Sequence, residues 1–353
     1  MTYLVDDKLQ DWLERCLWGK LEGQRYGEMS LEERELNKAR PLRFEERHGC
    51  LKQKQRLDVL PTPYLSTVRL NSTYLEMVGK FYEAKGFLTV VMLVCVMMGI
   101  GFVGGGGVLA YMAVSENDFV VLVIAIFATL LAAVTLLASI WTFFRECFRL
   151  THFPIRLNRK LRKLYAMDPY LLKVIEADWD KMVFVLEKCL HAPMRITQWE
   201  ILGHVLDEDG QTVRATLPFS FYWPDEGSVK QHWEYMRRYM EEGPEAIMDH
   251  TPVCLPLHEG KESFGFGYRM VMHHHVFFIW AIIATPLIFV EALGRYLAMQ
   301  TSDIPRWSKR IEEECQIDPG DPYAIDANDN PPDFWKATAK RRSELEASRG
   351  LPR

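Results

Sequence analysis

Between Phe87 and Phe144 the chain carries two charged side chains, Glu116 and Asp118, both inside the break Ser115-Glu116-Asn117-Asp118. On either side run 28 uncharged residues (87–114) and 26 uncharged residues (119–144). Each run exceeds the roughly 20 residues with which an α-helix crosses a hydrocarbon core of about 30 Å. The break is too short for anything but a tight turn. The spacing therefore predicts a two-helix transmembrane hairpin with almost no surface beyond its turn.

The first run contains "GIGFVGGGGVLA", with six glycines between positions 99 and 107. Glycine costs about 1 kcal/mol relative to alanine inside a helix, so so many of them call for a reason. Gly101 and Gly105 have the G-x-x-x-G spacing, and Gly106 with Ala110 continues the small-residue pattern. Small residues let helix backbones approach closely where lipid removes the hydrophobic drive to associate. The expectation is a packing seam against the second run, which offers Ala125, Thr129, Ala132, Ala133 and Ser139, or against a partner helix such as a second copy. The Gly104–Gly107 run is longer than packing requires and predicts local deformability.

The mean hydropathy of -0.11 averages this segment with a highly charged remainder. Right after the hairpin come Arg145, Arg149, Arg156, Arg159, Lys160, Arg162 and Lys163, against the single acid Glu146. Arg69, Lys80 and Lys85 precede it, and the turn carries no basic residue. Positive-inside bias assigns both flanks, and so both termini, to the cytoplasm. The juxtamembrane basic run is also a candidate for holding anionic lipid.

A third apolar stretch, Val276–Val290, is 15 residues long with Pro286 inside it, about 22 Å as a helix. His273, His274 and His275 precede it; Glu291 and Arg295 follow at i, i+4 spacing. A full crossing would carry Arg295, Arg306, Lys309 and Arg310 to the far side, against the charge bias. A re-entrant or interfacial helix is expected, with the histidines and the Glu291/Arg295 pair as its polar border.

The fold class expected is an α+β membrane protein. Residues 1–86 read as a charged, helical cytoplasmic region, opened by a helix with Trp12, Leu13, Leu17, Trp18 and Leu21 on one side. The hairpin takes 87–144. Residues 145–250 read as a cytoplasmic antiparallel β-domain of about six strands, with a hairpin turn at Asp209-Gly210. A helix opening at Ser228 and ending at Gly243 caps it, the order of a pleckstrin-homology-like domain. The apolar helix region covers 251–316 and a polar tail 317–353.

The chemistry expected is sparse. A net charge of -5 excludes the basic footprint of a general nucleic-acid binder. Seven dispersed cysteines without a Cys-x-x-Cys pair read as reduced thiols. The opening "MTYLVDDKLQ" is acidic and lacks an apolar run, so it is not read as a cleavable signal. No H-E-x-x-H, G-x-S-x-G or Walker pattern occurs. Adjacent histidines do not share a helix face, and Asp207, Glu208 and Asp209 read as a solvated hairpin tip. No catalytic residue, metal or cofactor is expected, and the chain is not read as an enzyme.

"VRLNSTYLE" (Val68–Glu76), "FREC…THFPIRLNRKLRKLY" (Phe144–Tyr165), "WDK" (Trp179–Lys181) and "LGRYLAMQTSDIPRW" (Leu293–Trp307) resemble a bacterial inner-membrane family that carries a domain of unknown function. The resemblance extends over roughly residues 60–315. It implies the membrane hairpin and a gene context beside type VI secretion effectors, with no catalytic residue to carry over. Two functions follow. One is an immunity protein acting in the plane of the inner membrane against a pore-forming effector. The other is a membrane-anchored adaptor or chaperone that binds an effector in the cytoplasm before secretion. A lipid-sensing module built on the basic run is a third.

Overall fold

The computed structural model describes residues 40–168, 173–191, 196–219, 223, 225–258, 260–274 and 278–340. The opening helix expected around Trp12 and the end of the polar tail lie outside them. The described residues divide into two compact units. One joins 84–151 to 261–303; the other joins 40–83, 152–260 and 304–340.

The first unit is helical. Helix α2 (Phe87–Ser115) and helix α3 (Phe119–Glu146) are long and apolar enough to cross a membrane and pack against each other. Asp118 caps α3, its carboxylate accepting the Val120 and Val121 N–H groups at 3.1 Å. Few of their side chains are buried, since most large residues face outward. Helix α6 (Phe264–His274) and helix α7 (Phe278–Thr301) pack together through Val271, Ile288 and Ala292. The helix that carries the apolar stretch continues about three turns beyond Val290. Pro286 lies within the helix without ending it.

The second unit is the β-domain, and it is larger than the sequence led one to expect. A five-stranded antiparallel meander runs β3 (Thr67–Leu70), β4 (Tyr74–Val78), β5 (Pro154–Asn158), β6 (Lys163–Met167) and β7 (Val174–Asp178). A second sheet has the order β1-β10-β9-β8-β2, with β1 (Arg40–Pro41), β2 (Cys50–Leu51), β8 (Met182–His191), β9 (Ile196–Leu206) and β10 (Thr212–Pro218). Four strands therefore fall in 40–86, where a helical region was expected; among the described residues there, only α1 (Phe44–His48) is an α-helix. The runs Thr67–Leu70 and Tyr74–Val78 are short and mostly apolar, so alternation alone does not mark them as strands. Their partner decides. Tyr74 to Val78 pair residue by residue with Asn158 to Pro154, on the other side of the inserted helical pair. The α2–α3 hairpin is an insertion between two neighbouring strands.

The expected β9–β10 turn forms at Asp207–Gly210, with Gly210 at φ 64° and Asp209 accepting the Gln211 and Thr212 N–H groups at 2.8 Å. Helix α4 (Glu226–Glu242), followed by the short α5 (Glu245–Met248), closes the core. Asp225, rather than Ser228, is its N-cap: the carboxylate accepts the Ser228 N–H at 2.8 Å and its hydroxyl at 2.6 Å. Aspartate three residues ahead of a serine caps as well as serine does, so the two signals competed. Trp233 stacks on Trp179 at 5.7 Å, and Phe184 packs against both and against Phe219. Helix α8 (Lys309–Glu314) lies on the outer face of the meander.

Candidate functional site

At the base of the helical unit the chain buries Lys85, Glu262 and Arg295 and half-buries Glu146. Lys85, two residues before α2, donates to the carbonyls of Glu146 at 3.0 Å and Leu150 at 2.9 Å. These lie at the C-terminal end of α3, where unpaired carbonyls carry the negative end of the helix dipole. Glu146 returns the favour at the start of α2: its carboxylate accepts the Gly86 N–H at 2.8 Å and the Thr89 hydroxyl. Each helix end is capped by a side chain from the other helix. Burial pulls the Lys85 ammonium down to about 8, although Glu146 opposes the shift.

Arg295 of α7 completes the base. It forms a two-pronged pair with Glu262, both bonds at 2.8 Å and both residues buried, and it donates to the Lys85 carbonyl at 3.3 Å. Close approach of the backbones makes this possible. Gly86 sits at φ 98°, and a Cβ there would collide with the Arg295 backbone. A Cβ on Gly294 would lie 2.7 Å from the Gly86 carbonyl oxygen and strike Val90. The tight glycine contact of the helical unit is thus Gly86 with Gly294, far along the sequence from the glycine run.

Within that run the expected seam is half displaced. A Cβ on Gly99 would meet Leu136 at 3.0 Å, and one on Gly106 would strike Thr129, so these two glycines face α3. Among the described residues, nothing lies within 4 Å of a Cβ on Gly101, Gly104, Gly105 or Gly107. Gly101 and Gly105 therefore do not pack on the second helix, and Ala110 is only half-buried. A residue two positions from Gly99 is turned by about 200° around the helix, because successive residues advance by 100°.

The residues expected at the polar border lie at two ends of the α6–α7 pair. Arg295 is committed to Glu262, and Glu291 is half-buried one turn earlier. His273 and His274 close α6 at its other end, and His275 lies outside the described residues.

Of the seven basic residues after the hairpin, only Arg145 and Arg149 belong to the helical unit. Arg145 is exposed over the Trp141 ring at 4.7 Å, and Arg149 is half-buried. The others lie in the β-domain. Lys160 pairs with Asp318 at 2.6 Å, Arg162 with Asp180 and Glu241 at 2.6 Å, and Lys163 with Glu176 at 2.7 Å. The Arg159 guanidinium lies beside Gly243 at the end of α4. Arg156 is buried. Adjacency in sequence did not make these seven one patch.

Arg156 instead centres a polar row across the meander. The strand register sets Glu76, Arg156, Tyr165 and Glu176 side by side, on the face opposite the apolar row Leu75, Leu157, Leu164 and Ala177. The Arg156 guanidinium donates to Glu76 at 2.6 and 2.9 Å and lies over the Tyr74 and Trp307 rings at 4.3 and 4.9 Å. Burial favours the neutral forms, but the facing charges win: Glu76 is held below the usual carboxylate range and Arg156 is raised. From α8, Glu312 reaches Arg156 at 3.2 Å, Glu314 accepts the Tyr165 hydroxyl, and Arg310 pairs with Glu176 at 2.7 Å. One signal for this row was present in the chain: Arg-Leu-Asn occurs twice, at 69–71 and 156–158. Asn71 accepts the Thr73 and Tyr74 N–H groups, and Asn158 accepts the Leu161 N–H, so each asparagine closes the turn after its strand.

The blocks around Tyr74, Arg156 and Trp307 thus meet in a single covered row. Over residues 132–319, just over half of its length, the chain matches a family described as a family of unknown function, DUF6708. The chain belongs to that family. No curated protein and no solved structure matches it. The DUF6708 match begins inside α3 and ends after α8, taking in β5 to β10, α4, both α6 and α7, and the Arg156 and Trp307 part of the polar row.

Proposed function

We propose that this chain is an immunity protein of the bacterial inner membrane, which meets a membrane-acting type VI secretion effector within the bilayer. Both termini lie in the cytoplasm, and the role is binding rather than catalysis. The observation that carries it is the outward face of α2. Among the described residues nothing lies within reach of a side chain added at Gly101 or Gly105, while only three residues separate α2 from α3. A partner helix can approach such a face to backbone distance, whereas a partner confined to the far side would find almost nothing to hold. The secretion context comes from the resemblance of the Val68–Glu76, Phe144–Tyr165 and Leu293–Trp307 blocks. The test is to express the effector encoded beside this gene, directed to the periplasm, and follow membrane potential. The expected result is depolarisation that the chain prevents and that Gly101→Leu with Gly105→Leu restores. Depolarisation unchanged by the wild-type chain overturns the proposal.

A second reading, the cytoplasmic adaptor, draws on the β-domain with its two antiparallel sheets and closing helix. A cleft of about 1010 Å³ lies between β7 and the β9–β10 hairpin, lined by Val174, Ala177, Met182 and Val205 with Lys163 and Arg214 at its rim. Among the described residues, β6 alone pairs with β7, so the other edge of β7 is open to an added strand. Loss of effector secretion on deleting the gene, with depolarisation unaffected, selects this reading.

A further inference from the structure

We propose that α6 and α7 form a re-entrant hairpin, dipping into the bilayer from the side where α2 begins and α3 ends and returning to it. This rests on the reading that α2 and α3 span the membrane, and extends it to a second lipid-facing element.

The ends of the helix pair are tied together. Glu262, just before α6, holds Arg295 near the end of α7. Lys261 donates to the Gln300 carbonyl at 2.8 Å, and Gln300 donates to the Glu262 carbonyl at 3.0 Å. The end of α7 is tied in turn to the end of α3, with Asp303 donating to the Arg149 carbonyl at 2.7 Å and accepting from Thr151 at 2.9 Å. Arg295 and Gly294 lie against Gly86 and Val90. The four segments thus meet at one level, where the uncharged run of α2 starts. A pair whose two ends share that level cannot have crossed.

Above that level the pair is apolar on its exposed side. Leu287 is 74% exposed, and Phe289, Val290, Leu293 and Met272 are also exposed. In α7, of the six residues Thr285 to Val290, Ile288 alone is buried. A helix that is apolar all round belongs in a core or in lipid, and this one is not in a core. The charges left on the pair, Arg269 and Glu291, sit toward the base. Arg269 is within about 11 Å of rise from Glu262, and Glu291 within about 6 Å of Arg295. That is the depth at which a long side chain reaches the interface. The uncharged leg from Phe278 to Val290 is about 20 Å long, against a hydrocarbon core of about 30 Å. It reaches past the midplane at most and must turn back. His273 and His274 then close α6 at its deeper end.

The occupant of the exposed face is hydrocarbon, because the apolar leg of α7 ends next to the plane where the apolar run of α2 begins. The test uses the full-length chain in phosphatidylcholine–phosphatidylglycerol vesicles, with Cys16, Cys50, Cys95 and Cys189 replaced by serine. Nitroxides at Leu287→Cys, at Leu137→Cys on α3 and at Asp318→Cys in the tail are compared for collision with oxygen and with a water-soluble nickel chelate. An impermeant maleimide probes Gly260→Cys and Arg306→Cys. The expected result is loss of chelate access at Leu287 matching that at Leu137, free chelate access at Asp318, and labelling of 260 and 306 from the same side. Chelate access at Leu287 overturns the proposal. So does protection of Leu287 from both collision partners, which marks a second copy or another protein as the occupant. Labelling of 260 and 306 from opposite sides means a crossing and overturns it as well. Chelate access at Leu137 instead rejects the spanning reading on which the proposal stands.

Discussion

In the helical unit the exposed side chains include Phe127, Leu137 and Leu287, and the buried ones include Lys85, Glu262 and Arg295. In the β-domain the interior is Trp179, Phe184 and Trp233, and the exposed positions include Lys160, Lys181 and Asp318. The difference teaches where each unit places its polar groups and why. Along the middle of α2 and α3 the backbone groups bond within their own helix, so no charge is needed on the surface. Charge is needed at the helix ends, where carbonyls and N–H groups run out of partners, and there Lys85 and Glu146 supply it. The β-domain also buries charge, but in the middle of a sheet: the Arg156–Glu76 pair is covered by Trp307 and α8 and lies across a register that a purely apolar row would not distinguish.

The sharpest way to break this comparison is to orphan one partner in each unit. Removing one member of a buried pair costs about 3–5 kcal/mol, because the other charge stays buried and unpaired. Arg295→Met should therefore expose the α6–α7 segment to protease in detergent while leaving the tryptophan-reported unfolding of the β-domain in place. Arg156→Met should do the reverse. In each case replacing the acid too, as Glu262→Leu or Glu76→Leu, should recover much of the loss. Equal effects of both arginine variants on both readouts would mean that the two units do not melt separately.

A pH series separates them next. His232 is fully buried in α4, its Nδ1 3.3 Å from the Thr62 carbonyl, and burial pushes it down to about 4. Between that value and the ordinary 6.5 the unfolded chain binds a proton that the folded one does not, so stability is lost as pH falls through this window. The loss is about 3 kcal/mol. It should appear in the tryptophan signal of the β-domain and be reduced in His232→Gln. An acid transition of unchanged size in that variant assigns the effect to other groups.

Within the helical unit the two faces of α2 can be compared directly. Gly106→Leu should cost about 1–3 kcal/mol by overpacking against Thr129. Gly101→Leu, on the open face, should leave stability unchanged or raise it by less than about 1 kcal/mol. Unfolding in detergent measures both, and a larger loss at Gly101 would show that the face is packed after all. The smallest effect is expected at the surface of the β-domain. Lys160→Ala removes an exposed pair with Asp318 and should shift stability by less than about 1 kcal/mol, a change that salt should largely erase.

Much of the molecule was legible from particular residues. The two uncharged runs and the Ser115–Asp118 break mark α2 and α3 to within about a turn. The alternation from Ile155 to Leu217 marks six of the ten described strands, and Asp209-Gly210 marks the β9–β10 turn. The site was much less legible. Glu262 drew no notice, since a lone acid beside glycines carries no pattern, and Gly86 and Gly294 matter only because they meet. Arg156 read as one of seven basic residues, although its neighbour across the sheet makes it a buried one.

By itself the sequence determined which segments are helices long and apolar enough to cross a membrane and which alternate as strands, because those properties depend on neighbours a few residues away. The tertiary structure alone decided that β4 pairs with β5 across the inserted helices. It also decided that Gly99 and Gly106, rather than Gly101 and Gly105, face α3, and that Lys85, Glu146, Glu262 and Arg295 converge at one level. Strand pairing over a long insertion, the rotation of a helix about its axis and the meeting of distant charges depend on residues that sequence spacing does not bring together. They are set only when the whole chain packs.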